Sequence, residues 1–456
     1  MYCFSMIYQA LPSPTPLVSN NIEVVKAWGP VVVGFAAIIA SFISSYIVLR
    51  RQSAQNERQV TLQREQHADQ LKINTRQLEL VRSKEERDEI VRKLNTFYGP
   101  FRQLRTQSRI LYAKFAQDRM RDYNEKHKHE GKRFRTLRYL VSGEKLDGAD
   151  LELLRQILHL GQKQIRLIES RSGVVDKPEL QELLGKLAAH IRILRLASEG
   201  KLKAVEPQEF ENIVFPLEVD GAIESAILRL QDRLTELSEF QSDHTLVMTS
   251  QDFDQRTIDF YNQHADEYAA TSFSPEIISN VSYFQEEFLK HLDRGARILD
   301  AGCGVGRDTR YFIKEGRIVI AFDASREMVR KCREYPHAYC KQLTFAQLRY
   351  NEEFDAVWAC ASLLHLTPHQ AKEAVRRLTT ALKIGGVMYI ALKLGEASES
   401  GHDTDGRYFT YYTQSSAKRL CESDRRLKLM SETPSGKKKD GEPQFLNLFL
   451  RRVQMP

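Results

Sequence analysis

No two of the six cysteines (Cys3, Cys303, Cys332, Cys340, Cys360 and Cys421) form a C-x-x-C pair, and no disulfide-rich spacing joins them. That excludes a disulfide scaffold and leaves free thiols in a reducing compartment, most of them small buried hydrophobes. Strong charge of one sign is also missing. The 67 Lys and Arg against 60 Asp and Glu leave a formal +7 over 456 residues. Such a balance permits contact with an anionic surface without calling for nucleic acid. What is present, 42% hydrophobic and 28% charged residues, describes a globular chain. It is too long for one ordinary core, so two or three domains are expected.

Charge is absent altogether from Ala27 to Leu49, AWGPVVVGFAAIIASFISSYIVL. As one helix this run crosses roughly 30 Å of hydrocarbon. It is too long for a signal peptide and lacks the positive region that should precede one. Arg50, Arg51, Arg58 and Arg64 follow at once, against Lys26 alone before it. The positive-inside rule then places the N-terminus outside and the bulk of the chain in the cytoplasm. A single-pass protein of the bacterial inner membrane is expected, with a buried core helix as the rival reading. Residues 1–26, with Pro12, Pro14 and Pro16 among Ser and Asn, read as disordered. Residues 50–94 contain no Pro or Gly and read as a charged helical stalk. Their apolar positions are too sparse for a regular a/d seam, so a homodimeric coiled coil is the lesser alternative.

Residues 95–247 read as a helical domain. Apolar residues recur at three- and four-residue spacing over 151–170, 178–200 and 220–240, with Gly161, Gly173, Pro178, Gly200, Pro207 and Pro216 as breaks. A basic stretch, RDYNEKHKHEGKRFRTLRY (121–139), is a solvated loop or a contact for anionic headgroups or nucleic acid. His127 and His129 lack the spacing of a metal site, and no metal is expected. Beyond TSQDFDQ (249–255) strands and helices alternate. RILDAG, IVIAFD, FDAVWAC, GGVMYIALK, LKLMSET and FLNLFLRRV read as strands, separated by segments such as 368–382. This pattern predicts an α/β, doubly wound sheet over 250–456, with ligand at the C-terminal ends of the strands.

The first of these strands runs into ILDAGCGVGRDTRYF (298–312). The last glycine of a dinucleotide fingerprint, G-x-G-x-x-G, is missing there, because Arg307 stands in its place. Gly302, Gly304 and Gly306 instead form G-x-G-x-G, which admits positive φ and close approach of a ligand without phosphates. Asp323 ends the second strand, where a carboxylate can accept both hydroxyls of a ribose, a device that dinucleotide enzymes share and that does not separate the two readings. LKIGGVMYIALK then puts a Gly-Gly turn before a fifth strand, and FYNQHADEYA (260–269) forms a helical lead-in.

On these residues, about 253–453 resembles the class I S-adenosylmethionine-dependent methyltransferases. The segment ALKLGEASESGHDTDGRYFTYYT (391–413) is similar to the tellurite-resistance-type and related small-molecule subgroup. The resemblance implies a Rossmann-like, seven-stranded domain behind one transmembrane helix, a stalk and an all-α domain. It implies S-adenosyl-L-methionine as cofactor, with Asp300, Gly302, Gly304 and Gly306 around its methionine portion. Asp323 would hold the ribose, with Ala324 and Met328 beside the adenine, and Tyr261 and Tyr268 would fold over the cofactor or pack the lead-in. Many relatives have an acidic residue after the third strand. This chain reads KQLTFAQL, and Thr344 takes that place.

Methyl transfer from a sulfonium is an in-line displacement, so the protein chiefly aligns the reactants and excludes water. A base helps only where the acceptor loses a proton. His365 is either that base or a structural cap. Lys393, Arg407, Phe409, Tyr411 and Tyr412 would face the acceptor. Lys393 and Arg407 suit an anion, unless Glu396, Asp403 or Asp405 pair with them. The fourth strand ends WACAS, not [DNS]-P-P-[YF], and no Pro-Cys pair is present. Both absences mark down DNA base methylation. The favoured reading is a membrane-anchored, cytoplasm-facing methyltransferase for a small molecule or a metalloid oxyanion. A cofactor-binding sensor, and an enzyme whose acceptor is a membrane-associated protein or lipid, are the alternatives.

Overall fold

The structure, a computed structural model, describes residues 21–126, 135–141, 146, 148–202, 214–239, 254–436 and 444–454. It divides into two units, Met1–Glu85 and Glu86–Pro456. Residues 1–20, residues 127–134 of the basic stretch (with His127 and His129) and residues 437–443 lie outside the described residues.

The whole described part of the first unit belongs to one helix, α1 (Asn21–Lys93). It already begins within the stretch read as disordered and runs without a break through the segments read as anchor and stalk. Val33, Phe35, Phe42, Tyr46 and Leu49 are all more than half exposed, a large uncovered apolar surface. Among the described residues this is the one helix long and apolar enough to cross a membrane. Beyond Leu49 the side chains up to Arg82 are exposed and mostly polar.

In the second unit a π-helical turn at Leu94–Tyr98 leads into α2 (Gly99–Lys126) and buries Phe97 and Tyr98. Three amphipathic helices follow the short α3 (Thr136–Val141): α4 (Gly148–Arg171), α5 (Pro178–Ser198) and α6 (Val219–Glu239). Their positions match the apolar periodicity of the sequence. Gly161 of α4 fits against Ile191 of α5, where a Cβ would come within 2.7 Å of Ile191 Cγ2. The four longer helices enclose Phe97, Phe101, Leu187 and Ile223.

The remaining elements form a seven-stranded sheet in the order β3-β2-β1-β4-β5-β9-β8. The lead-in helices are α7 (Gln255–Gln263), α8 (Ala265–Ser272) and α9 (Pro275–Leu289). The strands are β1 (Arg297–Ala301), β2 (Ile318–Asp323), β3 (Tyr339–Gln342), β4 (Phe354–Cys360), β5 (Leu382–Lys393), β8 (Leu427–Ser435) and β9 (Phe445–Arg452). The first five are parallel, while β9 pairs antiparallel with β5 and β8. Between them lie α10 (Arg307–Lys314), α11 (Arg326–Arg333), α12 (Pro368–Ala381) and α13 (Gln414–Glu422). The central strands are buried on both faces, which is why they read as unbroken apolar runs. On one face Trp358 stacks on Tyr389 at 3.9 Å beside Phe288 and Phe312. A two-stranded hairpin, β6 (Ser400–His402) and β7 (Tyr408–Thr410), stands apart from the sheet.

Helix α6 joins the helical layer to the sheet edge. Ser225 donates to the His337 carbonyl at 2.7 Å, Arg229 to that of Ala338 at 3.0 Å, and Lys341 pairs with Asp232 at 2.8 Å. Glu224, buried, meets Arg297 at the start of β1 at 2.6 Å.

Candidate active site

A cleft opens at the C-terminal ends of β1, β2 and β4, the place where an open parallel sheet of this kind takes its ligand. Its floor is the turn after β1. The N–H groups of Gly302 and Cys303 both donate to the Phe322 carbonyl at 3.0 Å, which hangs the turn on β2. Gly302 has φ +74°, and a Cβ there would lie 2.4 Å from Cβ of Ser362. Only glycine serves at such a position. Gly306, at φ +83°, caps α10 and lies so close to Cys332 that a Cβ would come within 2.7 Å of its sulfur.

Asp323 closes the second side. One carboxylate oxygen accepts from Gly304 N–H and the other from Ser325 N–H, each at 2.9 Å. Burial pushes its carboxyl up to about 6 against these two bonds. Across the turn, Arg307 forms a fork on Asp308 with both contacts at 2.8 Å. Gln285 and Trp358 donate to the same carboxylate at 2.7 and 2.8 Å. At the end of β4, Ala361 is held at φ +51°, a costly conformation for a residue with a Cβ. The hydroxyl of Ser362 next to it is buried with no hydrogen-bond partner among the described residues.

At the other end His365 is held at both nitrogens. Nδ1 lies 2.8 Å from the Tyr408 carbonyl and Nε2 lies 2.9 Å from the Tyr261 hydroxyl. A carbonyl only accepts, so Nδ1 carries the hydrogen and Nε2 is the acceptor. Burial pushes the imidazole down to about 4, opposed by the Tyr408 carbonyl, so it is neutral at ordinary pH. Its ring lies 4.7 Å from Phe409. Lys393 stands over the same Phe409 at 4.4 Å and over Tyr411 at 5.1 Å.

Of the residues singled out from the sequence, Tyr261, Tyr268, Gly302, Gly304, Asp323, Ala324, Met328, Thr344 and His365 line this cleft. Asp300, Gly306, Lys393, Arg407 and Tyr411 do not. Asp300 is closed off beneath the turn, 2% exposed, and accepts from the Thr309 hydroxyl. Burial, with the Asp308 charge adding to it, pushes its carboxyl well above the usual range. Arg407 is occupied by Asp403 at 2.7 Å and Asp405 at 3.1 Å, the pairing that the sequence reading had set against an anion-binding role. The Thr344 hydroxyl is taken up by Gln347 at 3.2 Å. The sequence reading passed over Ser362 and the Arg307–Asp308 fork. A small polar residue at the end of the fourth strand was the available signal for Ser362. None marked the fork, which depends on Gln285 and Trp358 from distant elements.

The family described as methyltransferase domain matches residues 298–386. An uncharacterized methyltransferase of Synechocystis sp. is 32% identical over 95 residues, 20% of this chain and 45% of that protein. A malonyl-[acyl-carrier protein] O-methyltransferase of Enterobacter lignolyticus is 35% identical over 97 residues, 21% of this chain and 38% of that one. The chain thus spans less than half the length of these two relatives. Among solved structures, 1,6-didemethyltoxoflavin-N1-methyltransferase of Burkholderia thailandensis, with bound S-adenosylhomocysteine, is 18% identical at a TM-score of 0.39. That match covers 46% of this chain and 93% of the other. The resemblance read from the glycine turn holds for this segment: residues 298–386 are a methyltransferase domain of the class I, S-adenosylmethionine-dependent kind.

The cleft fits that cofactor on its own evidence. Asp323 keeps unused lone pairs after accepting two backbone N–H groups, as a pair of ribose hydroxyls requires. The orphaned hydroxyl of Ser362 asks for a polar partner from a ligand. Gly304 leaves room under the Tyr268 ring, which a Cβ would approach to 3.3 Å. S-adenosyl-L-methionine, when bound, supplies a methyl group already activated for displacement.

Proposed function

We propose that this protein is a membrane-anchored S-adenosylmethionine-dependent methyltransferase acting on a small molecule. In this reading residues 27–49 are a single transmembrane helix and 50–94 a stalk. Residues 95–247 are a helical domain and 250–456 the methyltransferase domain, facing the cytoplasm. Gly302, Gly304, Asp323, Ala324 and Met328 hold the cofactor, Ser362 adds a hydrogen bond, and Tyr261 and Tyr268 cover it. The observation that carries the reading is the continuity of one cleft from the glycine turn to His365. Donor and proton acceptor are thereby brought to the same space. His365, neutral with Nε2 accepting from the Tyr261 hydroxyl, takes a proton from the acceptor molecule by relay through that hydroxyl.

The acceptor class narrows as well. Arg407 is already met by two carboxylates and Lys393 stands over Phe409 and Tyr411 outside the cleft lining, so the acceptor end offers mainly His365 and aromatic faces. A planar or weakly anionic small molecule with a proton to lose fits this better than a metalloid oxyanion. The apolar helix supports a second reading, in which the acceptor itself lies in the membrane and anchoring raises its local concentration. Calorimetric titration of S-adenosylmethionine into the full chain and its Asp323→Ala variant tests the first step. Binding that the variant weakens by about 30-fold or more is expected, from the loss of charge-assisted hydrogen bonds worth about 1.5–3 kcal/mol each. Equal binding by both, or none by a folded chain, rejects the reading.

A further inference from the structure

Three thiols converge on the glycine turn from three elements. Cys303 lies within the turn, Cys332 in α11 and Cys340 in β3, and their sulfurs all lie within 4.8 Å of one another. The Cys303–Cys340 separation is 3.4 Å. Cys332 and Cys340 are buried, while Cys303 is partly exposed and lines the cleft. A tetrahedral zinc ion with bonds of about 2.3 Å sets its sulfurs roughly 3.8 Å apart, so small side-chain adjustments suffice to reach that arrangement. The cysteines are far apart in sequence, which is why no metal-ligand spacing betrays them.

A second observation comes from Arg310. Its guanidinium donates at 3.3 Å to the carbonyl of Lys331, the residue beside Cys332, and packs over Phe273 at 4.6 Å. Its Nε is buried with no hydrogen-bond partner among the described residues. A partly buried cation with an unmet buried donor, its charge acting on Cys332, marks a place prepared for negative charge.

We propose that Cys303, Cys332 and Cys340 bind one divalent, thiophilic cation of the zinc class. On binding, three S–H bonds release their protons to solvent and three sulfur–metal bonds form, with no change of oxidation state. Three thiolates around a dication carry one negative charge, which Arg310 balances. A monovalent ion would leave two negative charges against one guanidinium, and a trivalent ion would leave Arg310 without a counter-charge. Bound there, the ion ties the glycine turn to α11 and β3 and so fixes the floor of the cleft. It is a structural role, separate from methyl transfer, with Cys303 the ligand through which the ion enters from the cleft.

The test uses the full chain, purified reduced, loaded with zinc and separately with cobalt(II), then freed of loose metal by gel filtration. About one ion per chain is expected, with a thiolate-to-cobalt charge-transfer band that carboxylate or histidine sites do not give. Cys332→Ser and Cys340→Ser should lose the band, and Cys421→Ser, in a different part of the core, should keep it. Cys303→Ala, at the partly exposed position, answers the question should the buried variants not fold. The proposal is overturned by a folded chain without the band, by a band that survives all three site substitutions, or by retention of copper(I) but not zinc. Rapid Cys303–Cys340 disulfide formation under peroxide with no metal uptake also overturns it, since the cluster would then be a redox pair.

Discussion

The two ends of the cleft are built by different means. The glycine end is mostly backbone: a turn hung on the Phe322 carbonyl, N–H groups aimed at Asp323, and positive-φ glycines that leave no room for a side chain. The hairpin end is mostly side chains. His365 follows β4 and Tyr261 comes from α7, with Phe409 of β7 against the His365 ring and Lys393 of β5 over Phe409, both outside the cleft lining. A backbone site is fixed by a few neighbouring residues and tolerates almost no change. A side-chain site is assembled from distant segments and can be rebuilt without disturbing the sheet. The first suits an invariant ligand, the second an acceptor that differs from one enzyme to another.

If that contrast is right, the largest effects belong to the glycine end. Gly302→Val adds a branched Cβ at φ +74° where 2.4 Å separates it from Ser362. A cost of at least about 3 kcal/mol in stability, and loss of cofactor affinity beyond about 100-fold, are expected in thermal melting and calorimetry. Asp323→Asn keeps the shape and removes the charge, for a loss of about 10- to 100-fold in affinity at pH 7.5. Its pH profile sharpens the point. The folded carboxyl is raised to about 6, so the wild type should bind S-adenosylmethionine less well as pH falls through 6. The asparagine variant should show no such step.

The same division explains what the sequence discloses. The G-x-G-x-G turn, Asp323 and six of the seven strands were legible, because strand-to-turn geometry is local and strands buried on both faces form unbroken apolar runs, whereas the short β3, with Lys341 and Gln342 at its open end, carries no such run. The three helices α4, α5 and α6 were legible for the same reason, from their three- and four-residue spacing. Contacts between distant segments were not. Nothing local signals that Asp300 turns to Thr309, that Gln285 and Trp358 complete the Arg307–Asp308 fork, or that three scattered cysteines meet. The pairing of Arg407 with Asp403 and Asp405 was only half visible, since D-x-D-x-R permits that contact without requiring it. The sequence also gave no sign that α6 ties the helical layer to β1 and β3 through Glu224, Ser225 and Asp232.

Smaller effects on cofactor binding should follow at the hairpin end. His365→Gln should leave cofactor affinity within about threefold while lowering turnover by about 100-fold for an acceptor that must lose a proton. It also has a stability signature with a definite sign. The imidazole is pushed down to about 4 in the folded state, against 6.5 unperturbed. Above pH 6.5 neither folded nor unfolded chain binds that proton, and His365 costs nothing. Between 6.5 and 4 only the unfolded chain takes it up, so the wild type loses up to about 3 kcal/mol relative to the glutamine variant. Asp323 works the other way between 3.8 and about 6, so the difference between wild type and variant, not the wild-type curve, isolates the histidine.

The smallest effect belongs to Arg407. Its contacts with Asp403 and Asp405 lie near the surface, where such pairs contribute about 0–1 kcal/mol. Arg407→Gln should therefore melt within a few degrees of the wild type and bind S-adenosylmethionine unchanged. A loss of turnover with unchanged cofactor affinity would mean that Arg407 leaves its carboxylates to meet the acceptor. The hairpin end would then close on an anion after all. Unchanged turnover leaves the cleft's own lining, His365 and Tyr261 among it, as the groups that meet the substrate.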